Sequence, residues 1–444
     1  MAAQAGKTRE QLKEEQIIDK ERFAKVIKAI GLKVPVKQIS QIQKELSDCL
    51  IVIPKFKVVK GIEGDDARKC VLMRDEAREK VDAYAKEHGF DTMEHTISLT
   101  YDNLTMSEVL KELLPPDIDE IPSGFETIGD VAHLNLTGKS FELRFLIGQV
   151  VLDKNPMIKR VVTKVGQIES TYRFYDLDCI AGDDSNLETT VLEDKVRFLV
   201  DVSRVYWCSK LGSERNRMIE HILKEGEVLC DMFCGIGPLA VKAAVKKRIR
   251  VIANDLNPAC YEYIQKNIKL NKVEKLVVPF NMDAREFVRQ CVNASKDASQ
   301  TKIPEHMLRF DHCYMNLPVD AVEFLDAFIG LFKDANPKVW GTPVKLPMIH
   351  VYGFTYHHEE GEAKKYFTER IGKAMNYQGF KEEDIAFFHN IRTVSPQSVM
   401  YGVSFRLPEA VAFSDQAKPN AEGGAGVALY EEFEDEGRKK IVKQ

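Results

Sequence analysis

The residues with the clearest chemical use lie in the segment EVLCDMFCGIGPLAVKAAVKK, where apolar residues lead to Asp231 and then to Gly235 and Gly237. Glycines at such a turn let the backbone bend tightly and approach a ligand. About twenty residues past Gly235, the apolar segment RVIAN is followed by Asp255, a position from which a carboxylate can bind ribose hydroxyls. The spacing therefore predicts a nucleotide-like ligand at the carboxyl ends of two parallel strands.

The glycines by themselves fit two classes of enzyme. GIGPLA matches the dinucleotide fingerprint G-x-G-x-x-G/A, with Ala240 in the third place, so a generic doubly wound nicotinamide domain stays open. Three features favour a methyltransferase: Asp231 can face a methionine ammonium, the strand FDHCYMNLP ends in a polar turn, and IAFFHNIRTVSPQSVMYGVSFRL alternates like a late antiparallel hairpin. We expect S-adenosylmethionine as the cofactor, its methionine portion held by Asp231, Gly235 and Gly237, and no metal.

Two further strand ends carry polar residues. Asp283, in NMDAREF, ends the third predicted strand, where its carboxylate or the backbone beside Ala284 would meet an adenine edge; a helix N-cap is the other interpretation. Asn316 follows the fourth strand, and Pro318 would fix the turn so that the Asn316 amide faces the cleft. A plain turn at the end of a strand is the alternative there.

Strands and helices alternate over the last two hundred residues or so, which predicts a parallel sheet with helices on both faces. The predicted strands are 227–233, 249–255, 275–281, 309–315 and 347–355, and the predicted helices are 238–247, 258–270, 284–292, 319–332 and 360–377. Two antiparallel strands finish the domain. The expected fold class is α/β: a Rossmann-like class I methyltransferase domain with a mostly parallel seven-stranded sheet and an antiparallel C-terminal hairpin, preceded by smaller α+β domains.

The segments before this domain predict those smaller domains. Residues from Glu10 to Leu46 have a helical period, CLIVIPKFKVV resembles a strand, and Asp75–His88 is helical. After the loop LLPPDIDEIPSGF, we predict a sheet-rich module from VAHLNL, FELRFLIGQVVL, IKRVVTKVG and TTVLEDKVRFLVDVSRVYW, and then a helix at Ser213–Lys224. The expected domains are 1–118, 119–212 and 213–408, followed by a flexible acidic tail at 409–444.

Composition sets broad limits on the class of protein. With 44% hydrophobic residues, the 444-residue chain can build two or three cores, and it has no apolar run long enough for a membrane span. The nine cysteines lack zinc-ligand spacing, which predicts reduced thiols in an intracellular setting. The net charge is −5, yet residues 1–60 hold 13 Lys and Arg against 7 Asp and Glu, a surplus that could bind phosphates or only solvate a helical face.

Several longer motifs support a more specific interpretation, over roughly residues 120–408. They are HLNL, IGQVVLDKNP, YRFYDLDCIAGD, VDVSRVYWCSKLGSERNR, DMFCGIGP, NDLNP, NIKLNK and NLP, in that order. The chain resembles the archaeal and eukaryotic tRNA (guanine-N1)-methyltransferase family. The resemblance implies methyl transfer from S-adenosylmethionine to N1 of guanosine 37, beside the anticodon, and a tRNA-binding amino-terminal domain. We also expect a monomer, in the cytoplasm with nuclear and mitochondrial pools.

The resemblance assigns roles to individual positions. The family places its catalytic arginine at Arg173, in TYRFYDLD, and its general base at Glu214, in GSERNR. From the residues alone, Arg173 could be a surface arginine, and Glu214 could stabilise the first turn of its helix. The cofactor-contacting positions of the family fall on Arg215, Asp255, Leu256, Asp283, Ala284 and Asn316, and an aromatic near the target base falls on Tyr206.

The chemistry explains why such residues are needed. Neutral guanine carries a proton on N1, so methylation there requires a base at N1 and relief of the charge that develops on O6. Glu214 would take the proton, most effectively if partial burial raises its pKa toward the working pH. Arg173 would stabilise the oxyanion, an effect often worth about 2.7–4 kcal/mol for each donor. The target base must be extruded from its loop, and Tyr206 is available to stack on it.

Phosphate contacts and rival functions complete the expectations. Lys154, Lys159, Arg160 and Lys164 would contact tRNA phosphates, or else form a solvated strand edge. The nearest rival activity is transfer of the aminocarboxypropyl group of the same cofactor, as in the wybutosine pathway; such an enzyme does not need the same general base. A tRNA-binding protein without catalytic activity is a second rival. A small-molecule methyltransferase is disfavoured because about half of the chain lies outside the catalytic sheet.

Overall fold

The computed structural model describes residues 7–118, 122, 124–165, 176–297, 299 and 301–415. The described chain forms two compact units. The first runs to Lys164 and includes Leu177–Ser185, and the second includes Asp176 and the residues from Asn186 onward. Of the expected acidic tail, residues 416–444 lie outside the described residues.

The first unit opens with a four-stranded antiparallel sheet of order β2-β3-β1-β4. Its strands are β1 (Lys25–Pro35), β2 (Val59–Ile62), β3 (Asp65–Arg74) and β4 (Asp91–Leu99). The helices α2 (Ile39–Glu45) and α3 (Arg78–His88) pack on it, and α1 (Arg9–Glu15) precedes it in the chain. The helix predicted around Asp75–His88 is confirmed, since a 3-10 turn leads into α3. The segment CLIVIPKFKVV is not a strand: it forms an isolated bridge at Leu50, and β2 begins only at Val59.

The continuous helix expected from Glu10 to Leu46 is wrong for its central part. β1 pairs with β3 along one edge and with β4 along the other. Ile30 and Leu32 are buried on one face of the sheet and Ala29 on the other, in separate hydrophobic clusters. Tertiary pairing on both edges therefore outweighs the approximate helical period of these residues.

The rest of the first unit is a second small sheet of order β5-β6-β7-β8 with helices packed on it. Its strands are β5 (Glu126–Ile128), β6 (Val131–Leu134), β7 (Arg160–Val165) and β8 (Asp176–Gly182), and its helices are α4 (Met106–Leu113), α5 (Gly138–Glu142) and α6 (Arg144–Lys154). One hydrophobic cluster joins Ile18, Phe23 and Tyr101 to Phe145 and Ile180, so this core extends across the boundary expected near residue 118.

The strand predicted for FELRFLIGQVVL is wrong, because the segment forms α5 and α6. Phe145, Ile147, Val150 and Val151 are buried, which is the spacing of one broad helical face. A Cβ at Gly148 would lie 2.8 Å from Ile180 Cγ1, so α6 packs closely on β8. Since the segment is apolar on nearly every side, alternation was a poor guide to its structure.

The second unit begins with the antiparallel hairpin of β9 (Glu188–Glu193) and β10 (Val196–Asp201). The helix predicted at Ser213–Lys224 is observed as α7 (Gly212–Arg217) followed by a π-helical turn at Met218–Ile222. It leads directly into the large sheet.

That sheet has seven strands in the order β13-β12-β11-β14-β15-β17-β16. The strands are β11 (Val228–Asp231), β12 (Arg250–Asn254), β13 (Val277–Phe280), β14 (His312–Met315), β15 (Met348–Thr355), β16 (Ile385–Ser395) and β17 (Ser398–Arg406). The first five are parallel, and β17 runs antiparallel to both of its neighbours, β15 and β16, which confirms the predicted fold class. Strand order reverses between β11 and β14, and in such sheets the crevice at this point holds the ligand.

The helices that connect the strands of this sheet are α8 (Pro238–Lys247), α9 (Pro258–Leu270), α10 (Ala284–Asn293), α11 (Pro337–Trp340) and α12 (Glu360–Ala374). A short helix, α13 (Glu409–Ala412), follows the last strand. The helix predicted at 319–332 is observed as a shorter 3-10 helix at Ala321–Phe328. Within the described part of the chain, no helix is long and apolar enough to span a bilayer.

Candidate active site

Asp231 ends β11, at the point where the strand order of the large sheet reverses. Its side chain is 1% exposed. Within the described residues, its carboxylate accepts one hydrogen bond, from the Phe233 N–H at 3.4 Å. Burial raises the pKa of this carboxyl well above its usual range. A buried carboxylate with one long hydrogen bond is costly unless a cation joins it, so Asp231 suits the ammonium group of a methionine-containing ligand.

The glycine turn after β11 is fastened to the end of β12 by Asp255. The Gly235 N–H donates to Asp255 Oδ2 at 2.8 Å, and the Asn257 N–H donates to Oδ1 at 2.9 Å. Burial is the main cause of a raised Asp255 pKa, which these two bonds oppose. Asp255 therefore shapes the turn, and its contact with ribose hydroxyls stays a prediction.

The two glycines of the turn have different surroundings. Both have positive φ, +54° at Gly235 and +86° at Gly237, a region that favours glycine. A Cβ at Gly237 would lie 2.8 Å from Ile264 Cγ1, whereas a Cβ at Gly235 would meet no atom within 4 Å. Gly237 is thus needed for packing against α9, and the space beside Gly235 is open to a ligand.

The ends of β12 and β13 place the residues expected around adenine. Asp283 is the N-cap of α10, and its Oδ1 accepts from the Arg285 N–H at 2.9 Å and from the Glu286 N–H at 3.2 Å. The capping role is therefore observed, and adenine contact by Asp283 or Ala284 stays a prediction. Leu256, just past β12, is exposed and can cover a flat ring.

Asn316 follows β14, and its amide nitrogen donates to the Tyr314 hydroxyl at 3.3 Å. Its Oδ1 is buried and has no hydrogen-bond partner within the described residues. An unsatisfied buried acceptor costs about 1–3 kcal/mol, so this oxygen suits a donor on a ligand. Pro318 accepts the Phe354 N–H at 3.1 Å through its carbonyl, which ties the turn to the end of β15.

Glu214, on α7, is the most highly connected carboxylate of the site and is 5% exposed. Arg217 donates to both of its oxygens at 2.8 Å, the Tyr352 hydroxyl donates to Oε1 at 2.5 Å, and His389 Nε2 lies 3.0 Å from Oε2. Burial alone would raise the pKa of Glu214, but these hydrogen bonds and the Arg217 charge lower it to about 2. The condition under which such a base works best, a pKa raised by partial burial, is therefore not met, because burial brought three polar partners with it.

Arg215 is held on the other side of α7. Its Nε donates to Glu193 Oε1 at 3.0 Å, its Nη2 donates to the Cys208 carbonyl at 3.2 Å, and the guanidinium lies over the Trp207 ring. Lys242, which is fully buried, binds the same Glu193 oxygen at 2.7 Å. In this structure Arg215 joins α7 to the β9–β10 hairpin, and its contact with a cofactor stays a prediction.

The residues expected to meet the target base are only partly described. Tyr206 follows β10 and its ring is exposed. Arg173 lies outside the described residues. Within the described ranges, no cluster of three or more His, Cys, Asp or Glu side chains is arranged to bind a metal ion.

The lysine and arginine side chains expected to contact phosphate differ in their surroundings. Lys159 is 72% exposed and lies 3.4 Å from Asp130, which Arg160 also approaches at 3.7 Å. Lys164 is half-buried on β7. Lys154 instead packs on the Tyr101 ring, 3.8 Å from its centre, and donates to the Tyr101 carbonyl. Phosphate contact by Lys154 would require this packing to break.

Sequence reasoning missed Arg217, Tyr352 and His389. Arg217 could have been found, because it lies three residues after Glu214 on one helix, a spacing at which side chains meet. Tyr352 and His389 are 138 and 175 positions away, and no local pattern marks them. Only the sheet brings them to Glu214.

Comparison with known proteins agrees with this geometry. Residues 189–337 match the family model described as the TRM5/TYW2 methyltransferase domain, and residues 106–185 match the TYW2 N-terminal domain. The fold and the crevice thus define a Rossmann-like methyltransferase. The tRNA (guanine(37)-N(1))-methyltransferase of Phytophthora infestans is 37% identical over 415 residues, covering 90% of this chain and 94% of that protein. The enzyme of that name from Paramecium tetraurelia is 35% identical over 405 residues, covering 90% of each.

The chain belongs to the tRNA (guanine(37)-N(1))-methyltransferase family, which confirms the resemblance carried by its motifs. Solved structures give the same fold. Trm5b from Pyrococcus abyssi has a TM-score of 0.56 at 25% identity and covers 85% of this chain and 98% of its own. A structure described as the complex of aTrm5 and tRNALeu has a TM-score of 0.60 at 20% identity, covers 85% and 100%, and supports the fold alone.

Proposed function

We propose that the protein transfers a methyl group from S-adenosylmethionine to N1 of guanosine 37 in tRNA. Family membership gives the activity class, and one feature of the site carries the proposal. Asn316, at the strand-end crevice, donates to Tyr314, whose ring lies 5.0 Å from that of Tyr352, and Tyr352 donates to Glu214. A base and a ligand-binding crevice are thus joined by two aromatic side chains.

The residues of the crevice fit this cofactor. Asp231 binds the ammonium group, the turn at Gly235 admits the methionine portion, and Asp255 binds the ribose. Leu256 and the segment Asp283–Ala284 border the adenine. S-adenosylmethionine supplies a methyl carbon that is already activated by a positively charged sulfur.

At the target guanine, residues of this chain remove a proton and stabilise a negative charge. Glu214 accepts the proton from guanine N1, which a positioned base accelerates by about 10²–10⁴-fold. Arg173 stabilises the negative charge that develops on O6, and the Asn316 Oδ1 accepts a hydrogen bond from the substrate or cofactor. Tyr206 stacks on the extruded base.

The rival aminocarboxypropyl transfer has one observation in its favour, the match of residues 106–185 to a TYW2 N-terminal domain. Against it stands Glu214, a carboxylate built into the site that such a transfer does not need. Cofactor labelled separately in its methyl and carboxyl carbons separates the two activities. Methyl label in tRNA supports our proposal, and carboxyl label would replace it.

The decisive experiment is mass-spectrometric mapping of tRNA after treatment with the purified protein. We expect 1-methylguanosine at position 37, and a guanosine-to-adenosine change at that position should abolish the product. The Glu214→Gln variant is the matched control, because it should bind cofactor normally and turn over at least about 100-fold more slowly. Methylation at another nucleotide, or on a small molecule alone, would contradict the proposal.

We further propose that the enzyme acts on tRNA as a monomer. Light scattering of the purified chain, with and without tRNA, measures the mass directly. A stable dimer at the concentrations used for assay would contradict this part of the proposal only.

A further inference from the structure

The carboxylate of Glu214 has no room for another donor. A carboxylate has about four in-plane lone-pair sites, two on each oxygen. Oε1 takes hydrogen bonds from Arg217 and Tyr352, and Oε2 takes one from Arg217 and one from His389. A guanine N1–H can therefore reach Glu214 only if one of these donors gives way.

The three donor residues differ in how easily they can leave. Arg217 is permanently charged and binds both oxygens, and Tyr352 is fully buried beneath the site. Within the described ranges, His389 makes one hydrogen bond to Glu214, through Nε2, and its side chain is 29% exposed. An imidazole can also gain or lose a proton near neutral pH, which neither of the other groups does. His389 is the donor whose contact is easiest to exchange.

A glycine on the middle strand allows His389 and Tyr352 to converge. Gly402 of β17 is opposite Tyr352 of β15 on one side and opposite His389 of β16 on the other. A Cβ at Gly402 would lie 3.0 Å from Tyr352 Cε1 and 3.1 Å from His389 Cε1. Both rings therefore stand on the same face of the sheet, and the missing side chain between them leaves the room they occupy.

We propose that His389 is a positioning residue that decides when Glu214 can act as a base. This inference rests on the proposed function. As an imidazolium, His389 forms a charge-assisted hydrogen bond to Oε2 and keeps the guanine from it. As a neutral imidazole it binds more weakly, and guanine N1–H takes its place on Oε2. Tyr352 and Arg217 keep Oε1 fixed throughout.

The bonds balance in this scheme. The methyl carbon leaves the sulfur of the cofactor with the bonding electrons remaining on sulfur, and it forms a new bond to N1. The N1 proton moves to Oε2 of Glu214 and is lost to water when the product leaves. His389 contributes no proton to the product and takes none from the substrate.

Among the described residues, the charged and titratable groups that face His389 belong to α7 and β15. Glu214 contacts it from α7, Arg217 from the same helix shares that carboxylate, and Tyr352 of β15 binds the other oxygen. Gly402, its neighbour on β17, brings no charge. Because the contacts lower the pKa of Glu214 to about 2, Glu214 itself does not titrate near neutral pH in this state. A loss of rate at mildly acid pH is assigned to the His389 contact only where His389→Ala abolishes it.

The test is the single-turnover rate of 1-methylguanosine formation, measured between about pH 5.5 and 8.5 with the full chain and saturating S-adenosylmethionine and tRNA. We expect the wild-type rate to fall about 10-fold or more toward the acid end. His389→Ala should lose this acid limb and exceed the wild type at the lowest pH. His389→Gln places a neutral donor at Oε2 at every pH. Its single-turnover rate should therefore be lower than that of His389→Ala, and its pH profile should be equally flat.

Controls separate the inference from general damage. His357 also faces a glutamate, Glu362 at 3.5 Å, on the surface of the same unit, so His357→Ala should keep the wild-type profile. The dissociation constant for S-adenosylmethionine checks that each variant is folded. If His389→Ala does not bind the cofactor, the pH profile of His389→Gln tests the inference in its place. An acid limb that persists in the folded variant, or is missing from the wild type, overturns the inference alone. A wild-type chain that forms no 1-methylguanosine at any pH overturns the proposed function and this inference with it.

Discussion

Glu214 shows at the scale of one residue how neighbours set chemistry. A buried carboxyl usually has a raised pKa, yet here Arg217, Tyr352 and His389 lower it to about 2. As the proposed base, the carboxylate is therefore well positioned but weak in the contacts that the structure shows. Asp231 is the opposite case, because its burial is opposed by a single long hydrogen bond and its pKa rises.

Glu214 should also make the fold sensitive to acid. Its folded pKa lies below the ordinary value of 4.5, so its stabilisation is present above that value and is lost as pH falls toward 2. At about 1.4 kcal/mol for each pH unit, the stabilisation is on the order of 3 kcal/mol. We expect Glu214→Gln to be less stable than the wild type at neutral pH, by a margin that shrinks below about pH 5.

Urea unfolding of the two proteins at a series of pH values measures this margin. Asp231 and Asp255, whose raised pKa values act in the opposite direction, are common to both proteins and cancel in the comparison. A margin that stayed constant from neutral to acid pH would show that Glu214 is not held as the structure has it.

At the scale of elements, the two glycines of the turn between β11 and α8 have different surroundings: one packs against a helix and the other borders open space. Both of its glycines have positive φ, but only Gly237 is pressed against another helix. Asp255 fastens the same turn to β12 through the Gly235 N–H. The turn is thus shaped on one side by the protein and left open on the other.

The two glycines should respond differently to alanine. Gly237→Ala should lower the free energy of unfolding by about 1–3 kcal/mol, because its Cβ would collide with Ile264 in addition to the backbone strain. Gly235→Ala should lower the free energy of unfolding by about 1 kcal/mol, from backbone strain alone. Because its Cβ would fill the space open to the ligand, it should also weaken binding of S-adenosylmethionine by about 10-fold or more. Thermal unfolding and calorimetric titration measure the two effects. Equal losses of stability, with cofactor affinity unchanged in Gly235→Ala, would place the cofactor elsewhere.

At the scale of the whole molecule, an acidic chain must bind an acidic RNA. The net charge is −5, so tRNA binding has to come from local clusters of bases and from shape. Lys159 is exposed in such a cluster, while Lys154, close to it in sequence, packs on Tyr101 inside the first unit.

These two lysines make a matched pair for salt dependence. If Lys159 contacts phosphate, Lys159→Ala should reduce the slope of log affinity for tRNA against log salt concentration by about 1. Lys154→Ala should leave that slope unchanged and lower stability by about 1 kcal/mol, because the cation–π packing is lost. Filter binding across salt concentrations gives the slopes. The reverse pattern would mean that Lys154 leaves its packed position to meet RNA.

The sequence by itself determined the catalytic unit well. The order of Asp231, the glycine turn, Asp255 and Asn316 follows from one repeated strand and helix unit, so spacing along the chain was sufficient to place them at one sheet edge. The longer motifs around Glu214 then indicated the family. Local information was sufficient because each of these residues lies at the end of its own strand or helix.

Tertiary structure decided what local patterns could not. β1 is a strand because it pairs on both edges, and α6 is a helix because it packs on β8, although the sequence favoured the reverse in each case. Glu214, the proposed base, gained its pKa of about 2 from Arg217 on its own helix and from His389 and Tyr352, which lie on distant strands that pair with β17 on either side of Gly402. Contacts between residues far apart in the chain leave no periodic trace in the sequence, so only the folded protein could reveal them.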